Sequence, residues 1–188
     1  MKSKFIVISL LIGIYITSFG QTQESKIGIN ASCNYAFHGD GDYAGLYFNN
    51  GFSYSIKPTF QVCASLGFIT SSNSGEENIL LLHNDTHLIG NIYLRIIPID
   101  ANKISSYLGF GSSNRYRTEV RLSGINVVDG ETISRYENAF SFDMGYLIQL
   151  GCGYKVTSKT MIFLNGEFHD FNKGTSTFAF GMGINIKL

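Results

Sequence analysis

From Thr177 to Leu188 apolar residues alternate with small or polar ones without a break. Phe178, Phe180, Met182, Ile184, Ile186 and Leu188 hold the even positions; Thr177, Ala179, Gly181, Gly183, Asn185 and Lys187 hold the odd ones. A period of two belongs to a strand whose faces meet different surroundings. The pattern recurs at 141–156, where Phe142, Met144, Tyr146, Ile148, Leu150, Cys152, Tyr154 and Val156 oppose Ser141, Asp143, Gly145, Leu147, Gln149, Gly151, Gly153 and Lys155. It returns at 26–37, 45–56 and 59–70, and more weakly at 88–97, 106–122 and 160–169. The alternation predicts eight strands and no helix.

The spacing between strands carries topology. With the first strand running outward, the inner connections fall at 57–58, 98–103 and 157–159, all short. The outer ones fall at 38–43, 71–87, 122–138 and 170–176, and two of these are long. Short turns on one side, longer loops on the other and strands of about ten residues describe a bacterial outer-membrane barrel. A soluble barrel also alternates, but its polar face meets water and should carry Lys, Glu and Arg. Here that face is Gly, Ser, Asn, Gln and Ala with scattered charges, while the other is continuous Phe, Ile, Leu, Met and Tyr. Small polar residues suit the interior of a narrow barrel, and a wide apolar circumference suits hydrocarbon. Outward aromatics gather near strand ends, as an interfacial girdle requires: Tyr54, Phe60 and Tyr154 on one side, Phe37, Phe68, Phe140, Phe168 and Phe178 on the other.

The first residues belong to export. Lys2 and Lys4 precede an apolar run at 5–16, and Ser18 and Gly20 supply the small residues of a cleavage site before Gln21. The run is short for a spanning helix, which needs about 20 apolar residues. The expected organisation is a signal peptide at 1–20 and one barrel domain at 21–188. Composition agrees: charged residues make up 15% of the chain, against about 25% in soluble domains. Removing Lys2 and Lys4 from the 14 basic residues leaves 12 against 14 acidic ones, a net charge of −2 that recruits no nucleic acid. Cys33, Cys63 and Cys152 read as small apolar fillers, with no disulfide expected.

With these features in hand, the mature chain resembles the small OmpA/OmpX-type outer-membrane barrels, the outer membrane protein beta-barrel domain. The closing run Phe178-Ala-Phe-Gly-Met-Gly-Ile-Asn-Ile-Lys-Leu188 resembles the terminal strand that the barrel-assembly machinery recognises, although it ends in Leu188 where that family usually has an aromatic residue. The resemblance implies an all-β, eight-stranded antiparallel up-and-down transmembrane barrel in the cell outer membrane of a Gram-negative envelope. Its neighbours there would be outer-membrane lipids and lipopolysaccharide, with an unidentified extracellular partner reached through the loops. Nothing follows Leu188, so no peptidoglycan-binding domain is expected.

Inward parity collects Arg95, Arg115, Asp143, Gln149, Glu167 and His169 into an expected lumenal network, and Gly on that face leaves room for Tyr47, Tyr93 and Arg95. His169, two residues after Glu167, is the best candidate base. Nucleophilic catalysis also needs a hydroxyl, and lipid A deacylases of this architecture place a Ser two residues after the His, where this chain has Phe171. No catalytic site is therefore expected. A lipid-modifying enzyme is the alternative, and a small-solute pore a third reading, disfavoured because eight strands leave no water channel. His83 and His87, with Asp85 between them, have metal-ligand chemistry, but two ligands on a loop rarely hold an ion, so no metal or cofactor is expected. Leu80, Leu81 and Leu82 stand out in the same loop as a contact patch or an extension of the fourth strand.

Alternation continues on both sides of 122–138, which predicts a long projecting hairpin. Asp129-Gly130 is a strong two-residue turn signal. A two-residue turn there, however, would pair even residues with odd ones and turn one strand inside out. A three-residue loop of Val128, Asp129 and Gly130 keeps the faces matched. It pairs Val127 with Glu131 and sets Arg121 opposite Glu137 and Arg115 opposite Asp143.

Overall fold

The computed structural model describes residues 26–39, 43–74, 82–128, 131–173 and 176–188; the expected signal peptide lies outside them. The elements are β1 (Ile27–His38), β2 (Tyr43–Lys57), β3 (Phe60–Ser74), β4 (Leu82–Asp100), β5 (Ile104–Val128), β6 (Glu131–Lys155), β7 (Thr160–Phe171) and β8 (Thr177–Lys187). Each strand pairs antiparallel with the next, and β8 closes on β1. Closure leaves no row of backbone donors and acceptors unpaired, which a chain surrounded by hydrocarbon requires.

The register fixes the shape. Gly28 pairs with Ser53, and the line of partners runs through Cys63, Tyr93, Gly111, Leu147, His169 and Thr177 to His38. One circuit thus climbs β1 from position 28 to position 38, a stagger of ten residues. At about 3.3 Å per residue and about 4.8 Å between strands, ten residues over eight strands give a tilt of about 40° and a backbone radius of about 8 Å. That radius leaves room for side chains and little else.

Inward and outward parity hold on every strand. Phe52, Ile92, Phe110, Leu150, Met182 and their outward neighbours are exposed, whereas Asn34, Tyr47, Arg95, Ser113, Arg115, Gln149, Glu167 and His169 are buried. So continuous an apolar exterior is a lipid-facing one. Glycines on the inner face make space for the largest lumenal rings: a Cβ on Gly67 would collide with the Tyr47 ring, and one on Gly151 with that of Tyr107. Cys33 and Cys152 face outward, Cys63 faces inward, and all three thiols are free.

The connections differ from expectation in three places. The loop expected at 71–87 is mostly strand, since β3 continues to Ser74 and β4 begins at Leu82, with Ser71 paired to Asp85. Apart from Leu82 the paired residues here are polar on both parities, so alternation vanishes while the ladder continues. The expected 98–103 turn is shorter, because β4 runs on to Asp100 through a register shift between Ile96 and Ile99. Pro98 lies inside that shift and has no N–H to give a ladder. The expected three-residue loop is corrected as well. Val128 pairs with Glu131, which leaves two residues for the turn, and the parity conflict is absorbed by a bulge between Leu122 and Gly124 on β5. Below the bulge Arg121 pairs with Glu137 and Arg115 with Asp143.

Candidate functional site

The lumen carries polar chemistry in two layers separated by an apolar one. The deeper layer is organised by Glu167 on β7. Its Oε1 accepts hydrogen bonds from Gln149 Nε2 on β6 at 2.8 Å and from Asn165 Nδ2 at 2.7 Å. Its Oε2 lies 3.3 Å from His169 Nε2. Arg95 on β4 joins from the short-turn side, donating through Nη2 to Gln149 Oε1 and to Tyr93 OH, each at 3.1 Å. Its guanidinium also stacks on the Tyr107 ring, 4.5 Å from the centroid. The arrangement follows from strand geometry: Asn165, Glu167 and His169 alternate onto one face of β7, and Gln149 is the partner of Glu167 across the β6 ladder.

A hydroxyl partner for His169 arrives from an unexpected strand. Ser113 Oγ on β5 lies 2.9 Å from His169 Nδ1, although β6 runs between β5 and β7. The ladder partner of Ser113 on β6 is Gly145, which has no side chain to obstruct the reach. With His169 donating from Nε2 to the carboxylate, its Nδ1 accepts the serine proton, and Ser113, His169 and Glu167 form a Ser–His–Glu chain. Sequence parity put Ser113 on the inner face, yet nothing in the sequence measures distance across an intervening strand. All three residues are enclosed, with Ser113 and His169 at 0% exposure and Glu167 at 1%.

Above this chain lies an apolar septum of Tyr47, Ile69, Ile89, Phe171, Ala36 and Ala179, all buried. The Phe171 ring stacks on His169 with centroids 6.1 Å apart, and on its other side the Arg115 guanidinium lies 4.0 Å from its centroid. Arg115 belongs to the upper layer. It donates to Asp143 Oδ2 from Nη2 at 2.9 Å and from Nε at 3.2 Å, and to the Lys173 carbonyl at 3.0 Å. Nearby, His38 Nδ1 is 2.9 Å from Thr177 Oγ1 and packs its ring 4.5 Å from that of His87, whose Nε2 is 2.9 Å from Asp85 Oδ2. Arg117 pairs with Glu119 at 2.9 Å toward the mouth.

The six expected network residues therefore fall into two groups. Arg95, Gln149, Glu167 and His169 form one connected set, whereas Arg115 and Asp143 form a separate pair beyond the septum. His87 and Asp85 join the second group; the His83 side chain lies outside the described ones. Among the described residues no three His, Cys, Asp or Glu side chains are arranged to hold a metal ion.

A closed eight-stranded antiparallel barrel, apolar outside and filled with polar side chains inside, has the architecture of the small outer-membrane barrels. No protein-family model and no curated protein matches the sequence. Solved structures do match it. The neisserial surface protein A structure has a TM-score of 0.64 at 13% identity, covering 89% of this chain and 100% of that one. The outer membrane protein OprG of Pseudomonas aeruginosa gives 0.59 at 12% identity, covering 89% and 98%. Ail, the attachment invasion locus protein of Yersinia pestis, gives 0.55 at 14% identity, covering 87% and 99%. At such identities the likeness is one of fold.

Proposed function

We propose that the chain is a non-enzymatic barrel of the cell outer membrane, with its short turns in the periplasm, that holds the β5–β6 hairpin outside the cell to contact a partner. The hairpin carries this reading. β5 and β6 have 25 residues each, about 60 Å along the barrel axis at the tilt above, against a lipid-facing band of about 25 Å. Beyond Val120 and Gly145 the two strands pair only with each other among the described residues. Tyr136, Phe140 and Phe142 are exposed on β6 beyond Gly145, and Phe140 stacks at 6.4 Å on Tyr116, whose position on β5 still pairs with Leu88 of β4. A line of exposed aromatic side chains running from the barrel rim onto the projecting stem suits a contact surface. Lipids and lipopolysaccharide surround the apolar belt, and the assembly machinery inserts the chain through β8. A photo-crosslinking residue at position 140 should give a discrete macromolecular adduct on intact cells, lost when residues 122–138 are deleted. Adducts with lipid alone would sink the contact reading.

The Ser113–His169–Glu167 chain favours a second reading, a lipid-modifying enzyme. Against it stands enclosure: an acyl ester cannot approach a hydroxyl that has no exposed surface, sealed from the outer mouth by the septum. Deacylation of lipid A that disappears in both Ser113→Ala and His169→Ala would establish the enzyme instead.

A further inference from the structure

The polar chemistry of the lumen does not end at Arg95. Below it, at the end that carries the short turns, the inner register continues into a cluster of cations. Lys155 and Lys187 extend the inward parity of β6 and β8, and Lys26 that of β1, while Lys57 lies just past a register shift at the end of β2. They surround a vestibule of about 420 Å³ whose lining also includes Lys159 and, deeper in, Arg95 and Tyr107. The lining thus holds six cationic side chains and one carboxylate, Asp100, and that carboxylate sits 2.5 Å from Lys155 Nζ. A barrel stabilised only by its own contacts gains nothing from concentrating like charge at one mouth, where low-dielectric walls sharpen the field.

Arg95 adds an independent observation. It is 3% exposed, and its Nη2 is occupied by Tyr93 and Gln149, yet its Nε has no hydrogen-bond partner. The Tyr107 hydroxyl beside it is also buried and unpartnered. Buried donors without acceptors cost free energy and call for a partner. An oxyanion in the vestibule would supply acceptors to both and neutralise the lysine ring. Guanidinium and ammonium groups together are the usual recognition set for phosphate oxygens. The lysines line the mouth of the lumen, whereas lipid headgroups lie around the outside, so a soluble anion fits better than a lipid.

We propose that the short-turn mouth of the barrel binds a small multivalent oxyanion of the phosphate class, with Arg95 at its floor and Lys26, Lys57, Lys155, Lys159 and Lys187 around its rim. The probe is pyrophosphate, titrated into the full barrel in a non-ionic detergent and followed by calorimetry and by the nitrogen NMR signal of Arg95 Nε–H. Saturable binding should shift that signal. Lys57→Gln with Lys187→Gln should weaken binding about tenfold, two modest ion pairs together, while heat-modifiable migration stays unchanged. Lys103→Gln, outside the vestibule lining, should leave affinity as it was. Nanodiscs with and without phosphatidylglycerol separate the sources: a shift that requires this lipid assigns the oxyanion to a headgroup, and a shift with pyrophosphate alone assigns it to solution. Absence of saturable binding and of any Arg95 shift at millimolar pyrophosphate overturns the site. So does undiminished affinity in the double lysine variant.

Discussion

Single residues in this barrel differ sharply in what they can tolerate, and their neighbours say why. Asp143 takes two hydrogen bonds from the buried Arg115 through one oxygen. Asp143→Ala removes that acceptor and leaves the guanidinium charge in the lumen. Loss of one partner of a buried pair costs about 3–5 kcal/mol, whereas replacing both by apolar residues is often near neutral. Reversible urea unfolding should therefore find Asp143→Ala strongly destabilised and the double variant Arg115→Met with Asp143→Leu largely recovered. If both lose stability equally, the ion pair is not the source of the effect. Two glycines give a second contrast. A Cβ on Gly67 meets the Tyr47 ring, which is walled in by the septum, while one on Gly90 meets nothing within 4 Å. Overpacking costs about 1–3 kcal/mol, so Gly67→Ala should lower the unfolding midpoint clearly and Gly90→Ala should leave it nearly unchanged. Equal midpoints would mean that Tyr47 can swing aside. The limit of sequence reading also shows at this scale. Glu167 and His169 were legible as lumenal because parity is a local property. Ser113 was not legible as their partner, because its reach depends on barrel curvature and on the bare Gly145 between them.

Strands follow the same logic over longer stretches. All eight were readable wherever one face met lipid and the other the lumen, since only then does composition alternate. The ends of β3 and β4 were missed because Ser71, Ser72, Asn73 and Ser74 and the opposing Leu82, His83, Asn84 and Asp85 show no apolar alternation although their ladder continues. In the β5–β6 hairpin the opposite occurred: the Arg115–Asp143 register was legible, but keeping the faces matched led to a three-residue loop, whereas Val128 pairs with Glu131 and the odd residue lies further down β5. The bulge between Leu122 and Gly124 takes it up, and a bulge outside the membrane has little sequence signature. This makes deletions informative. Removing Ser123 takes out the extra residue and leaves both the turn and the Arg115–Asp143 register intact, so the protein should still fold and show heat-modifiable migration. Removing Asn114 inverts the faces of β5 on one side of the deletion and drives lumenal side chains into lipid, so no folded band should survive. A folded Asn114 deletion would show that strand register is far looser than the paired faces require.

Over the whole molecule, closure and filling have opposite consequences for the two surfaces. Outside, the stagger of ten residues turns eight amphipathic strands into one apolar belt that is stable only in a bilayer. Recovery of the mature protein in the soluble periplasmic fraction, rather than with the outer membrane, would contradict that. Inside, eight strands enclose so narrow a lumen that Tyr47, Ile69, Ile89 and Phe171 meet across it, each at most 6% exposed. A hydrated ion crossing this layer must shed its water among apolar groups, and the polar residues on either side are already engaged: Glu167 by Gln149 and Asn165, Asp143 by Arg115. Two polar layers separated by an apolar septum leave no continuous polar path along the axis. The purified barrel in a planar bilayer should accordingly give no stable conductance steps, and liposomes containing it should swell no faster in small sugars than protein-free ones. Sustained steps from wild-type protein would show that the septum opens and that the barrel is a pore.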